Sequence, residues 1–319
     1  MADSRSGDSA AVRTRGLSRS YGDLVAVRDL DLEIDRGEMF TLVGPDGAGK
    51  TTVLRMLCGA LEPTSGRAAV LGFDLEREIS RVKSRIGYLS QSFSLYGDLT
   101  VDENIEFFSE IHGVRRSGDF GKRREDLLRT TRLGPFRGRL AERLSGGMKQ
   151  KLALACTLIH SPEILFLDEP TTGVDPVSRR DFWMILSDLL GRGLTLVMTT
   201  PYLDEAERST RVGLLSRGRL MDTGTPEELK SRVTEELFEI VCDDVRRAFF
   251  VLQDSGIPGL ESVQVLGDHI KITVRPGSGA SDRVRDLLES SGLPVRSWHD
   301  SEPSLENVFL SLTQNKEET

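Results

Sequence analysis

The chain has 319 residues, room for about two domains at roughly 150 residues each. Lys and Arg total 42 and Asp and Glu 50, a formal charge of −8, which argues against a general nucleic-acid binder. Its three cysteines, Cys58, Cys156 and Cys242, lie far apart with no CxxC pair, so they read as buried apolar residues rather than zinc ligands or a disulfide framework.

Residues 1–10 are polar and mixed in charge, and read as a disordered tail without the apolar core of a secretory signal. From Val12 to Ile34 apolar residues alternate in short stretches, which predicts antiparallel strands around a turn at Tyr21-Gly22-Asp23. Met39–Val43 reads as a short buried strand, Thr51–Leu61 as a helix and Ile86–Leu89 as a strand. Leu99–Gly134 looks helical, interrupted and strongly charged. Met148–His160 is a helix, Ile164–Leu167 a buried strand, Val177–Leu190 a helix and Leu194–Thr199 a strand. This alternation predicts an α/β fold with a mostly parallel sheet covered on both faces. No apolar run approaches the roughly 20 residues of a membrane helix. A soluble, cytoplasmic protein is expected, with any membrane role exerted through a partner.

A domain boundary is expected near residue 224. In Gly224-Thr225-Pro226-Glu227-Glu228, Thr225 suits a cap, Pro226 the first helical position and Glu228 the capping box. Beyond it the pattern becomes strand 237–242, helix 244–254, strands 261–266 and 269–275, helix 281–291 and strand 294–299. That β-α-β-β-α-β order predicts a small ferredoxin-like α+β domain over 225–319.

Three motifs carry chemistry. Gly44-Pro45-Asp46-Gly47-Ala48-Gly49-Lys50-Thr51 fits GxxxxGK[ST] between a strand and a helix. Glycines let backbone N–H groups curl around phosphate, and the helix start adds positive potential. Lys50 supplies a point charge for phosphate and Thr51 a hydroxyl for Mg2+. In Ile164-Leu165-Phe166-Leu167-Asp168-Glu169, apolar residues deliver two carboxylates to a strand end. Asp168 suits Mg2+, through water, and Glu169 a general base. Leu144-Ser145-Gly146-Gly147-Met148, before the Met148–His160 helix, reads as a second anion site or as an ordinary cap.

Together these motifs resemble an ATP-binding cassette (ABC) ATPase over residues 11–224, with Leu144–Met148 as the family signature. The resemblance implies a P-loop NTPase fold with an antiparallel β subdomain and an inserted helical subdomain at about 92–148. It implies ATP and Mg2+ as ligands, with Gly44, Asp46, Gly47, Gly49, Lys50, Thr51 and Thr52 at the nucleotide. It further implies a head-to-tail dimer, in which Ser145, Gly146 and Gly147 act on the nucleotide of a second cassette, either a copy or a relative. Tyr21 resembles the aromatic that stacks on adenine, unless it is a simple turn tyrosine. Gln91 resembles the glutamine that senses Mg2+ and the attacking water, which puts it beside Lys50 and Glu169 as a catalytic residue. Asp175, in Gly173-Val174-Asp175-Pro176, resembles the loop joining the two sites, or is a turn before the next helix.

One departure stands out. The family usually carries a histidine after the strand that follows the Asp-Glu pair, and here Pro201 occupies its place. Proline has neither a side-chain donor nor an N–H. Slow hydrolysis with ATP binding largely intact is the expectation. Asp46, a carboxylate inside the phosphate loop, is expected to face solvent or the dimer interface.

The combination of Leu-Ser-Gly-Gly-Met, Gly-Val-Asp-Pro and Asp-Glu-Ala-Glu resembles the drug- and antibiotic-efflux branch. Pro303-Ser304-Leu305-Glu306-Asn307-Val308-Phe309-Leu310 points the same way. In that branch the cassette is a separate chain that pairs with a membrane permease, peripheral on the inner face of the membrane. Phe93, Leu95, Leu99, Val101, Ile105 and Phe108 either line the groove for the permease or form subdomain core. Residues 113–143, with ten Lys or Arg against four Asp or Glu, are either a solvated face or a contact for anionic headgroups. The C-terminal domain is either a dimer-contact or regulatory module or a structural appendage. Two alternatives stay open: a regulatory nucleotide-binding subunit with little turnover, and a soluble ABC ATPase with no transport role.

Overall fold

The computed structural model describes residues 10–92, 94–114 and 118–314. The chain divides into a first unit ending at Pro226 and a second beginning at Glu227.

The first unit starts with β1 (Ala10–Tyr21) and β2 (Leu24–Asp35), paired antiparallel about the Tyr21–Leu24 turn. β1 therefore begins at Ala10, inside the stretch read as a tail; residues 1–9 lie outside the described residues. Next come β3 (Met39–Val43), α1 (Lys50–Leu57), β4 (Ser65–Val70), β5 (Phe73–Asp74), α2 (Ile79–Lys83) and β6 (Ile86–Leu89). The helical segment holds α3 (Val101–Ile111), α4 (Phe120–Thr130) and α5 (Gly146–Leu158). It is followed by β7 (Ile164–Asp168), α6 (Pro176–Gly191), β8 (Thr195–Thr200), α7 (Leu203–Ala206), β9 (Arg211–Ser216) and β10 (Arg219–Gly224). α8 (Pro226–Lys230) spans the boundary.

Two sheets result. One has the order β2-β1-β4-β5; the other is six-stranded, in the order β10-β9-β3-β8-β7-β6. In the second sheet β6, β7, β8, β3 and β9 run parallel, and β10 pairs antiparallel with β9. Successive side chains on a strand point to opposite faces. Phe40, Leu42 and Phe166 accordingly join one apolar cluster, with α1 and the β1-β2 sheet. Met39, Leu165 and Leu167 join another, with α5 and α6. Burial on both faces is why these strands read as continuous apolar runs.

Helix starts differ from the sequence expectation by one or two residues. α1 begins at Lys50 and ends at Leu57, where Cys58 caps it, rather than running to Leu61. α5 begins at Gly146, because Ser145 is its N-cap and accepts from the Met148 N–H at 3.3 Å. Strands β4, β5, β9 and β10 carry no strong alternation and were not expected from sequence. Val101 and Ile105 are fully buried with Leu128, Leu152 and Ile159, and Leu95 and Phe108 pack on that cluster. Val101 and Ile105 are subdomain core rather than groove; Phe93 lies outside the described residues. In the basic stretch Arg137 pairs with Asp102 and Glu125, Arg132 with Asp181 and Arg129 with Asp126.

The second unit has β11 (Glu236–Cys242), α9 (Val245–Gln253), β12 (Leu260–Leu266), β13 (His269–Val274), α10 (Ala280–Ser290), β14 (Val295–Asp300) and α11 (Leu305–Gln314). Its antiparallel sheet has the order β12-β13-β11-β14, which is the ferredoxin-like arrangement. Ile240, Ile270, Ile272 and Val274 pack against Ala248 and Leu252 of α9 and Val284 and Leu288 of α10. All three cysteines are free and buried.

Candidate functional site

The loop between β3 and α1 builds a cleft of about 170 Å³, lined by Ala26, Asp46, Gly47, Ala48, Gly49, Lys50, Thr51, Thr52 and Glu169. Its shape depends on missing side chains. Gly49 caps α1 with φ 103, a conformation L side chains rarely adopt, and a Cβ there would meet the Ala26 carbonyl. A Cβ on Gly44 would run into the Leu215 carbonyl. The start of α1 therefore faces the cleft with free backbone N–H groups, which suits an anion.

Lys50 crosses this loop. Its side chain is 4% exposed, and Nζ donates to the carbonyls of Gly44 at 2.8 Å and Pro45 at 3.1 Å. Nζ also lies 3.4 Å from Glu169 Oε1 and 4.0 Å from Asp46 Oδ1. Asp46 itself points to solvent, with 94% of its side chain exposed. Thr51 Oγ1 donates to Asp168 Oδ1 at 2.9 Å. A threonine hydroxyl beside a carboxylate, next to an anion cradle, is the oxygen donor set that Mg2+ takes when phosphate completes the shell. The residues therefore fit that ion.

β7 ends at this point, and that delivers Asp168 and Glu169. Asp168 is 1% exposed and accepts from Thr199 Oγ1 at 2.8 Å and Tyr88 Oη at 3.4 Å. Burial, then the adjacent Asp168 charge, pushes the Tyr88 hydroxyl up to about 12, so it stays a donor. Glu169 has φ 47, in the left-handed region that a Cβ disfavours. Its N–H is held by the Thr199 carbonyl and hydroxyl, each at 3.1 Å. Gln91 Nε2 donates to Glu169 Oε2 at 3.1 Å. Lys50, Thr51, Gln91, Asp168 and Glu169 are thus gathered at one place from three segments of chain.

Tyr21, Ser145, Gly146, Gly147 and Asp175 do not line the cleft. Tyr21 is 47% exposed, with the Arg19 guanidinium 4.7 Å from its ring centre. Asp175 caps α6 through the N–H groups of Val177 and Ser178, and hydrogen bonds from Ser178 hold its carboxyl below the usual range. Gly147 packs directly on the Ser178 side chain. Sequence reasoning missed Tyr88, Thr199 and Glu205 as parts of the site's support. The available signal was polarity out of place: Thr199 and Thr200 are polar residues at the end of a fully buried strand, after the apolar run Leu196–Met198.

The sequence matches the ABC transporter family over residues 27–172 and the DrrA1-3-like ATP-binding protein C-terminal domain over 224–313. It is 43% identical over 221 residues to the probable multidrug ABC transporter ATP-binding protein YbhF of Escherichia coli, covering 69% of this chain and only 38% of that protein's length. It is 35% identical over 309 residues to the daunorubicin resistance ATP-binding protein DrrA3 of Streptomyces coeruleorubidus, covering 95% of this chain and 96% of that one. Among solved structures, the dimeric bacterial ABC transporter cassette MJ0796 superposes with a TM-score of 0.60 at 26% identity, over 67% of this chain and 98% of that one. By these matches, the chain belongs to the family of ABC transporter ATP-binding proteins.

Proposed function

We propose that this chain is the ATP-hydrolysing subunit of an ABC exporter that works through a separate membrane permease. One observation carries the catalytic part: Glu169 stands between Lys50 and Gln91, at 3.4 and 3.1 Å, at the mouth of the phosphate loop. In this reading the α1 N–H groups and Lys50 bind the phosphates. Thr51 and Asp168 would hold Mg2+, which would supply charge neutralisation to the phosphates when bound. Gln91 orients the Glu169 carboxylate, and Glu169 accepts the proton of an attacking water.

Two cassettes assemble head to tail in this proposal. Ser145, the N-cap of α5, lies off the cleft of its own chain and is exposed, so the helix start it caps is available to a second nucleotide. That a similar cassette is described as dimeric supports pairing of two cassettes, and the head-to-tail order is part of this proposal. Pro201 follows β8 and brings no donor to the γ-phosphate, so turnover is slow while binding persists. The DrrA-like C-terminal domain, and relatives named for multidrug and daunorubicin resistance, favour drug efflux as the transported class. No helix among the described residues is long and apolar enough to cross a membrane, which fits attachment to a permease at the inner face.

Binding of a fluorescent ATP analogue with Mg2+, together with phosphate release, tests the proposal. Lys50→Ala should weaken the analogue's affinity by at least about tenfold, the loss of a charged contact worth ~1.5–3 kcal/mol. Affinity unchanged by that substitution would defeat the reading.

A further inference from the structure

A second carboxylate is buried behind the cleft. Glu205, on α7, is 1% exposed. Thr171 Oγ1 lies 2.7 Å from its Oε1 and 2.9 Å from its Oε2. Thr200 Oγ1 donates to Oε2 at 2.7 Å, and Arg179 Nε stands 3.6 Å from Oε1.

Two of these partners come from segments that adjoin Glu169, and the third from the start of α6. Thr171 lies two residues beyond it in the loop to α6. Thr200 ends β8 directly after Thr199, whose hydroxyl holds both Asp168 and the Glu169 N–H. Arg179 lies in the first turns of α6, the helix that Asp175 caps. Next to Thr200 is Pro201, which donates nothing, so β8 reaches the cleft residues through Thr199.

A buried carboxylate is costly, and a well-packed apolar side chain commonly supports a fold as well or better. Two of its partners, Thr171 and Thr200, lie in the segments that lead out of Glu169 and adjoin the Thr199 that holds it. Glu169 needs fixing, because its left-handed backbone is unfavourable and persists only where the surroundings hold it. Thr199 holds it from the N–H side; the Thr171–Glu205 pair holds the chain that leaves it.

We infer that Glu205 is a positioning residue for hydrolysis: it pins the Glu169–Asp175 loop to the end of β8 and the start of α6, and so sets the direction of the Glu169 carboxylate. It rests on the reading of Glu169 as the general base. It does not line the cleft, and it does not contact Lys50 or Thr51 by any hydrogen bond among the described residues.

The test uses the full chain with Glu205→Gln, Thr171→Val and the double variant. Glutamine keeps the shape but leaves one acceptor oxygen for the two hydroxyls and the guanidinium. Each single variant should lower kcat by about tenfold or more while KM, and the affinity for a fluorescent ATP analogue, stay within about threefold. The double variant should fall no more than about twofold below the worse single, because both remove one contact. Amide hydrogen exchange across Glu169–Asp175 should rise about tenfold in Glu205→Gln, a readout that needs no turnover. If Glu205→Gln does not fold, Thr171→Val and Thr200→Val carry the same measurements. A parent chain that turns over, with variants matching it in kcat or losing affinity in step with kcat, overturns the inference and leaves the proposed function standing. A parent chain that binds ATP without turnover defeats the catalytic reading; unchanged exchange then overturns the inference as well.

Discussion

Lys50 Nζ and Glu169 Oε1 lie 3.4 Å apart, so the proposed phosphate-binding cation and the proposed base balance each other's charge across the cleft. Glu169→Gln removes the base and keeps the shape. Hydrolysis should fall by about 10²–10⁴-fold, the usual worth of a general base. ATP affinity should hold or tighten, because a negative charge beside the phosphates is gone. Phosphate release and analogue titration on the same preparation check both halves; a parallel loss of affinity would show that the carboxylate serves binding instead.

Pro201 is the second point of leverage. A hydrogen bond to a charged group is worth ~1.5–3 kcal/mol, and a transition-state contact of that size changes a rate by about ten- to a hundredfold. Pro201→His should raise kcat by that factor with little change in ATP affinity. A folded variant with the parent's rate would mean that turnover is not limited at this position.

Gly147 allows no side chain. A Cβ there would collide with Oγ and Cβ of Ser178 at the start of α6. Gly147→Ala should destabilise the first unit by ~1–3 kcal/mol, the range for overpacking. Ser178→Gly in the same chain should restore most of it. Thermal unfolding of the three proteins decides: an unshifted midpoint in Gly147→Ala would show that α5 and α6 are not locked at this contact.

His112 and His160 stack with ring centres 4.0 Å apart and planes 9° from parallel. Burial, then the neighbouring His160, pushes His112 down to about 4, and burial also lowers His160. Below the ordinary value of 6.5 the unfolded chain takes up protons that the folded pair does not, so stability is lost as pH falls from 6.5 toward 4. His112→Asn should flatten that fall. Urea midpoints at about pH 7.5 and about pH 5 measure it; the same loss in parent and variant would clear the pair of any role.

The phosphate loop, the Asp168-Glu169 strand end and the ferredoxin-like order of the second unit were legible in the sequence, because each is local. Glycines next to a lysine at fixed spacing, an apolar run ending in carboxylates and alternating strands announce themselves within a dozen residues. The helix starts at Lys50 and Gly146 were legible only approximately, since a cap is a matter of backbone geometry at one residue. Strands β4, β5, β9 and β10 gave weak local signals and formed because neighbouring strands offered them hydrogen-bond partners.

Sequence alone put forward the groups proposed to handle phosphate: Lys50, Thr51, Asp168 and Glu169 follow from motif chemistry. Tertiary structure decided how they are held. Thr199, Tyr88 and Glu205 lie 30 or more positions from the carboxylates or loops they secure, and no spacing rule joins residues that meet only after β6, β7 and β8 align side by side. Once those strands exclude water, each buried carboxylate must find its donors within the fold, and the positions of those donors follow from strand order rather than from neighbours in the chain.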